Sequence, residues 1–172
     1  SAGQGCCGSL SHHMGKKLDA QAAAIKNIDA WYSELSDNGL DAIVINTSGC
    51  GTTVKDYHHM FKGTEHEDKA KAIAGLTKDI SEILVRLDLP DQAENQINVA
   101  YHSACSLQHG QQVSSHPKDI LKKCGYKISE PKDSHLCCGS AGTYNLLQPK
   151  ISQELKNRKI QSLEAKKPDI IA

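Results

Sequence analysis

The sequence predicts an α/β fold, a parallel sheet with flanking helices, made of two pseudo-symmetric units that each contain the tripeptide Cys-Cys-Gly. Apolar residues at three- and four-residue spacing alternate with short β-branched runs, which is typical of alternating helices and strands. The tripeptide occurs at 6–8 and again at 137–139. A similar helix and a similar apolar strand follow each copy, and this indicates an internal repeat.

In the first half, apolar residues on one face predict a helix over 16–37, and Gly39 is typical of a helix C-terminus. The β-branched run 41–46 predicts a buried parallel strand, and Cys50 lies just past its end. A second apolar stripe predicts a long helix over 66–88.

The second half repeats the alternation with shorter elements. Strands are predicted over 97–102 and 126–129, and a helix over 117–124 that begins with proline. After the second Cys-Cys-Gly, the spacing predicts a helix over 143–164, and a strand begins within 168–172.

The repeat predicts how the chain is divided. Residues 1–90 form a first unit that lacks its N-terminal part, and residues 91–172 form a second unit that lacks its C-terminal part. Both units are therefore expected to be truncated, as in a piece of a longer protein, and to form one compact domain overall.

Composition excludes several classes of function. Twenty basic and twenty acidic residues cancel, so no global field attracts nucleic acid or an anionic membrane. No apolar stretch approaches the roughly 20 residues of a membrane span. We therefore expect a cytoplasmic protein that binds no nucleic acid and has no membrane span. Any association with the inner face of the membrane would be peripheral, through partners.

The seven cysteines carry most of the chemical information. The count is odd, and adjacent cysteines pair with each other only through a strained ring, because disulfides need Cα atoms farther apart than neighbouring residues. Metal or cluster ligation explains the two adjacent pairs better than disulfides do.

The predicted elements place the thiols at a common kind of position. Cys50 and Cys105 follow strand ends, where ligands collect in parallel sheets. The pairs precede helices, whose N-termini favour thiolates. Iron-sulfur, zinc and redox thiols all remain open. Iron-sulfur is favoured, since contiguous thiolates aim at different metal atoms while zinc usually takes thiols two to four residues apart.

Several segments resemble the cysteine-rich CCG family: "GCCGSLSHHMG", "NIDAW", "VINTSGCGTTVKDY", "YHSACSLQHGQ" and "CCGSAGTYNLLQP". This family includes the iron-sulfur subunit of bacterial glycolate oxidase and the B-type subunit of heterodisulfide reductase. The resemblance covers nearly all of the chain, and it identifies a C-terminal fragment of the glycolate oxidase type.

The resemblance implies a set of ligands. Each unit of the family has an early Cys, a Cys-Cys-Gly and a later Cys-x-x-Cys, and such units bind 4Fe-4S clusters. The matching residues in this sequence, expected to bind metal and cofactor, are Cys6, Cys7, Cys50, Cys105, Cys137 and Cys138. Thr47 stands where the later motif has its first thiol, so one ligand position differs from the family pattern.

The resemblance also implies the function and the partners. We expect an oxidoreductase subunit without catalytic residues of its own, which relays electrons from flavin-containing subunits that oxidise glycolate to glyoxylate. The alternatives are a related oxidoreductase of the lactate-utilisation or heterodisulfide reductase type, and a zinc-binding interaction module.

The remaining candidates have simpler interpretations. Cys124 has no motif partner and is expected to be a buried structural thiol. His12 and His13 are expected to face solvent. The histidines near the cysteines, which could hydrogen-bond to a cluster or substrate, are His102, His109 and His135.

Overall fold

The computed structural model describes residues 3–87 and 89–172, in which helices alternate with short parallel strands. The predicted α/β class is confirmed. The described elements of the first half are α1 (Ser9–His13), α2 (Lys17–Asp37), β1 (Ile43–Ile45), α3 (Ser48–Lys55), α4 (Tyr57–Met60), α5 (Glu67–Leu76), β2 (Thr77–Asp79) and α6 (Ile80–Leu84). Those of the second half are β3 (Asn98–Ala100), a π-helix (Ser106–Gly110), α7 (His116–Lys123), β4 (Lys127–Ser129), α8 (Tyr144–Leu147), α9 (Pro149–Glu164) and β5 (Ile170–Ile171).

The chain forms two compact units, Ser1–Ile80 and Ser81–Ala172. In the first unit β1 pairs with β2 in parallel. In the second unit β3 lies between β4 and β5, and both pairings are parallel. The predicted division after residue 90 and the predicted single compact domain stay predictions.

The core of the first unit forms beneath α2. Ala20, Ala24 and Ile28 recur every four residues on one face of this helix and are fully buried. Ala24 and Ile28 belong to a layer that also contains Tyr57 and Phe61. Burial of a side chain such as Ile28 contributes about 1.5–3 kcal/mol, so this layer fixes where α2 lies. Cys7 is part of the same cluster, and its thiol is therefore attached to a rigid core.

The core of the second unit is centred on β3. Val99 and Ala100 on this strand are buried, because β3 has a neighbour on each side. Leu107 of the π-helix and Leu163 of α9 are buried as well. The segments that carry Cys105 and that follow Cys137 and Cys138 thus contribute side chains to the buried interior of this unit.

The prediction of one long helix over 66–88 is wrong. The helix stops at Leu76, and Thr77 adopts extended dihedral angles, φ −73° and ψ 127°. Thr77 bonds its hydroxyl back to the Ile73 carbonyl at 2.8 Å, and its backbone pairs opposite Ile43 of β1. Strand pairing in a buried position outweighs helical periodicity here. Residue 88, the predicted end of the helix, lies outside the described residues.

The prediction of one helix over 143–164 is also wrong. Gln148 leaves the helical region, with φ −129° and ψ 60°, and divides the segment into α8 and α9. The cause is Pro149, because a proline ring disfavours helical geometry at the preceding residue. Pro149 then occupies the first turn of α9, where its missing N–H is harmless.

The other predicted elements are confirmed with small changes of their bounds. The helix expected over 16–37 is α2, and the strands expected over 41–46 and 97–102 are the shorter β1 and β3. Within the described part of the chain, no helix combines the length and the apolar character that crossing a membrane requires.

Candidate metal centre

The first unit brings three thiols together. Cys7 is 8 % exposed and directly precedes Gly8, the N-cap residue of α1. Cys50 lies in the first turn of α3, and its thiol is within hydrogen-bonding range of the Cys7 thiol. Cys6 is exposed and close enough to Cys7 for their charges to interact. Two helix N-termini thus lie at this set, hereafter the first cysteine set (Cys6, Cys7 and Cys50).

The second unit brings three further thiols together. Cys105 is the N-cap residue of the π-helix that follows β3. The Cys137 thiol is within hydrogen-bonding range of the Cys105 thiol, and the Cys138 backbone N–H donates to Cys105. Gly139 donates its N–H to Cys137 Sγ at 3.3 Å. We call Cys105, Cys137 and Cys138 the second cysteine set.

The glycine of each Cys-Cys-Gly packs against the backbone of the following long helix. Gly8 has φ +81°, and a Cβ there would lie 2.8 Å from the Ala20 carbonyl oxygen. Gly139 has φ +89°, and a Cβ there would lie 2.3 Å from the Ser152 carbonyl oxygen. Only glycine fits a left-handed conformation and so close an approach. The tripeptide therefore ends in glycine because the thiol pair is seated directly on a helix.

Buried polar side chains hold the first pair in place. Asn27, 1 % exposed on α2, donates its Nδ2 to the Cys6 carbonyl at 3.0 Å and accepts from the Gly5 N–H at 2.7 Å. Tyr57 of α4 donates its hydroxyl to the Cys7 carbonyl at 2.9 Å. The backbone of both cysteines is thus fixed from two separate helices, which is a precondition for a preorganised site.

A comparable arrangement holds the loop before the second pair. Lys159 of α9 is 4 % exposed and donates its Nζ to the Asp133 carbonyl at 2.8 Å. Gln108 of the π-helix donates its Nε2 to the Ser134 carbonyl at 3.3 Å. The π-helix that begins after Cys105 is thereby connected to the loop that leads to the other two thiols.

The thiols of Cys7, which is buried, and Cys105, which is partly buried, both favour their protonated form. Burial raises the pKa of the Cys7 thiol to about 12, and a hydrogen bond from the Ser9 backbone opposes this only in part. Burial also raises the pKa of the Cys105 thiol, and the neighbouring Cys137 and Cys138 act in the same direction. A metal centre bound here would therefore displace protons from these thiols.

The donor chemistry of the two sets fits an iron-sulfur cluster. Each set offers three thiols and no carboxylate, as soft metal centres prefer. Among residues 3–87 and 89–172, no three or more His, Cys, Asp or Glu side chains are arranged to hold a metal ion, so the neighbouring thiols do not form a preformed site for a single ion. Contiguous thiols reach separate metal atoms more easily than one shared ion, and a polynuclear centre offers such atoms. Thr47, the position that departs from the ligand pattern, is the exposed N-cap residue of α3.

Cys124 is not the buried thiol that the sequence predicts. It is exposed at the C-terminal end of α7, next to the exposed Lys122 and Lys123. These three consecutive exposed residues show that this end of the helix faces solvent. His12 and His13 are exposed as expected.

The side chains of His109 and His102, near the second cysteine set, differ in their surroundings. His109 places its Nε2 3.3 Å from the His135 carbonyl. His102 has a buried Nε2 for which the described residues provide no partner. Neither observation tests whether these histidines hydrogen-bond to a cluster or substrate.

Sequence reasoning missed the residues that hold the backbone of the cysteines. Asn27 and Lys159 each interrupt an otherwise buried helix face, between small or apolar residues at three- and four-residue spacing. A polar residue within an apolar helix face is the sequence signal that could have identified Asn27 and Lys159. Tyr57 and Gln108 gave no signal, because their partners are distant in sequence.

Comparison with known proteins identifies the family. The cysteine-rich domain family CCG matches residues 1–55 and 99–172, more than half of the chain and all six cysteines of the two sets. The chain belongs to the CCG cysteine-rich domain family. The resemblance seen in the sequence is thereby confirmed.

Individual CCG proteins are similar to this chain over nearly its whole length. The glycolate oxidase iron-sulfur subunit of Escherichia coli (strain K12) is 37% identical over 169 residues, which are 97% of this chain and 41% of that protein. The probable glycolate oxidase iron-sulfur subunit of Bacillus subtilis (strain 168) is 33% identical over 94% of this chain and 37% of that protein. Lactate utilization protein A of Anoxybacillus flavithermus is 28% identical over 98% of this chain and 70% of that protein.

The chain spans about two fifths of the length of the two glycolate oxidase subunits. No solved structure matches this CCG chain significantly.

Proposed function

We propose that this CCG chain is the part of a glycolate oxidase iron-sulfur subunit that holds clusters and relays electrons. The electrons come from flavin-containing subunits that oxidise glycolate to glyoxylate. The observation that carries the proposal is the 37% identity along 97% of the chain to a protein of that name. The two all-thiol sets support it, because thiols are the usual ligands of iron-sulfur clusters.

The six cysteines of the two sets are the proposed ligands, three for each 4Fe-4S cluster. A bound cluster would supply reversible one-electron chemistry. The chain's own residues do the rest. Gly8 and Gly139 let the thiol pairs approach a helix, while Asn27 and Tyr57 hold the Cys6 and Cys7 backbone still. Burial of Cys7 keeps water away from this side of the site.

The proposed partners are the flavin-containing subunits of the same complex, and the proposed location is the cytoplasm. All seven cysteines are free thiols, as is usual in a reducing compartment. Any association with the inner face of the membrane is proposed to run through the partner subunits.

Metal analysis after purification without oxygen tests the cofactor. We expect visible absorption, iron and acid-labile sulfide in similar amounts, and no zinc. Stoichiometric zinc in a colourless protein would overturn the proposal in favour of a zinc-stabilised interaction module. Addition of glycolate together with the flavin subunits should then bleach the visible absorption.

A second candidate is the related lactate-utilisation function. It is supported by the greater share of the relative that this chain covers, 70% of the lactate utilization protein A of Anoxybacillus flavithermus. The two candidates differ in the electron donor. Bleaching by lactate with no response to glycolate, in the complex assembled with its partners, would favour this second function.

A further inference from the structure

Asn27 and Lys159 occupy equivalent positions in the two units. The glycines of the two tripeptides contact Ala20 of α2 and Ser152 of α9, so these two helix residues correspond. Seven residues farther along the respective helices lie Asn27 and Lys159. The structure therefore aligns the two helices from a contact that both units share.

These two residues are similar in their burial and in their hydrogen bonds. Both are almost fully buried, at 1 % and 4 % exposure. Each donates a side-chain N–H to a backbone carbonyl in the segment that leads to the thiol pair, Asn27 to Cys6 and Lys159 to Asp133. They differ in charge, since an amide is neutral and an ammonium group is not.

The charge of Lys159 has no carboxylate partner among the described residues. The nearby Asp133 carboxylate pairs instead with Arg158, whose Nη2 lies 3.4 Å away. A neutral amide would satisfy the same carbonyls, and burial of an uncompensated charge is costly. A negative charge close to Lys159, beyond those that the described residues supply, would therefore stabilise its ammonium group.

The second cysteine set is placed to supply that negative charge. Lys159, Arg158 and Asp133 line a cavity of about 170 Å³ together with Cys137. Arg158 is paired with the Asp133 carboxylate and is 60% exposed, so Lys159 provides the buried positive charge of this wall. The charge of Lys159 also acts on His102, whose pKa is lowered first by burial and second by Lys159.

We propose that Lys159 is an internal counter-cation for the second cysteine set, which raises the reduction potential of a cluster bound there and makes the two units electronically unequal. The inference rests on the proposed iron-sulfur function and assigns a role to a residue that touches no ligand atom. Because Asn27 is neutral, the first unit lacks this positive charge, so the two sites differ although their thiols match.

The expected size follows from simple electrostatics. One unit charge at about 10 Å, acting through an effective dielectric constant of about 20, changes an equilibrium about tenfold. For a one-electron couple a tenfold change corresponds to ~59 mV. A cation favours the reduced, more negative cluster, so its removal should lower the potential.

Four variants separate charge from structure: Lys159→Gln, Lys159→Met, Lys159→Arg and Arg158→Gln. Gln keeps N–H donors for the carbonyls but loses the charge, Met loses both, and Arg keeps the charge. Arg158→Gln is the matched control, because it removes a neighbouring cation whose side chain is 60% exposed and therefore screened by solvent. The readout is an anaerobic redox titration of the cluster-loaded protein, followed by electron paramagnetic resonance.

We expect Lys159→Gln and Lys159→Met to lower the potential of one cluster component by about the same amount, while Lys159→Arg and Arg158→Gln stay near wild type. A wild-type potential in Lys159→Gln, with a change only in Lys159→Met, overturns the inference, since Lys159 would then act through its hydrogen bonds alone. A shift in Arg158→Gln as large as that in Lys159→Gln overturns it as well. Protein that takes up no iron at all defeats the proposed function and this inference together.

Discussion

Tyr57 donates its hydroxyl to the backbone carbonyl of Cys7 at 2.9 Å, across fifty residues of sequence. Both residues are buried, and Asn27 Nδ2 lies 3.4 Å from the same hydroxyl. Burial raises the pKa of Tyr57 well above its ordinary value, so the hydroxyl stays protonated and can donate. This network fixes the backbone of a reactive thiol pair without using the thiols themselves.

Replacement Tyr57→Phe keeps the ring and removes this hydrogen bond. The Cys7 carbonyl then stays buried without its partner, so we expect the free energy of unfolding to fall by about 1–3 kcal/mol. Urea denaturation followed by circular dichroism measures the change. Tyr32→Phe is the control, because Tyr32 is only partly buried beside the same core, and a change below about 0.5 kcal/mol is expected there. Equal losses in both variants would contradict the role of the network.

Replacement Gly139→Ala should destabilise the second unit. The new Cβ would meet the Ser152 carbonyl at 2.3 Å in a left-handed backbone conformation, so helix α9 must move away from the thiol pair. We expect a loss of more than about 3 kcal/mol, since the clash adds to about 1 kcal/mol of backbone strain. Thermal unfolding checks it.

Gly142→Ala provides the matched control for that experiment. Its φ is also positive, +62°, but a Cβ there has no heavy atom within 4 Å among those described. Only the backbone strain of about 1 kcal/mol should therefore appear. If Gly139→Ala were no worse than Gly142→Ala, the close contact with α9 would be disproved.

Single cysteine replacements test the proposed ligands. Cys105→Ser and Cys138→Ser should each lower the iron bound by the second unit, by up to half of the iron in the whole protein, because each removes one thiolate from one of two sets. Cys124→Ser should leave the iron content unchanged, since Cys124 is exposed and belongs to neither set. Iron and sulfide analysis decides, and equal iron in all three variants would refute the ligand assignment.

His102 predicts a pH dependence of stability. Burial, and second the charge of Lys159, hold its pKa below the ordinary value of 6.5. The unfolded chain therefore binds a proton more readily than the folded chain in the window just below pH 6.5. Stability is fully present above that pH and falls as the pH drops through the window toward the folded pKa.

The variant His102→Gln isolates this contribution. Urea denaturation between pH 7.5 and about 5 should show a shallower loss of stability in His102→Gln than in wild type, because the variant has no group to protonate at this position. Parallel pH profiles of the two proteins would show that His102 is equally easy to protonate in the folded and unfolded chains.

Local patterns predicted most of the elements. The α2 helix and the strands β1 and β3 follow from side-chain periodicity and β-branched residues, which act through neighbours in the sequence. The errors have local and distant causes. The break at Gln148 is caused by its neighbour Pro149, whereas the strand at Thr77 depends on pairing with Ile43, thirty-four residues earlier.

Residue types and their spacing were sufficient to predict the α/β class, the repeat, the family and the six cysteines expected at the site. Packing of the folded chain determines which thiols lie together. The packing also brings Asn27, Tyr57 and Lys159 to the backbone of the segments that carry the thiols, and it leaves Cys124 exposed to solvent. The physical reason is that burial and hydrogen bonds between distant residues arise from packing of whole helices and strands, and no short window of sequence contains both partners. A lysine and an asparagine look alike as polar residues on a helix, and only the folded structure shows that both are buried beside the thiol segments.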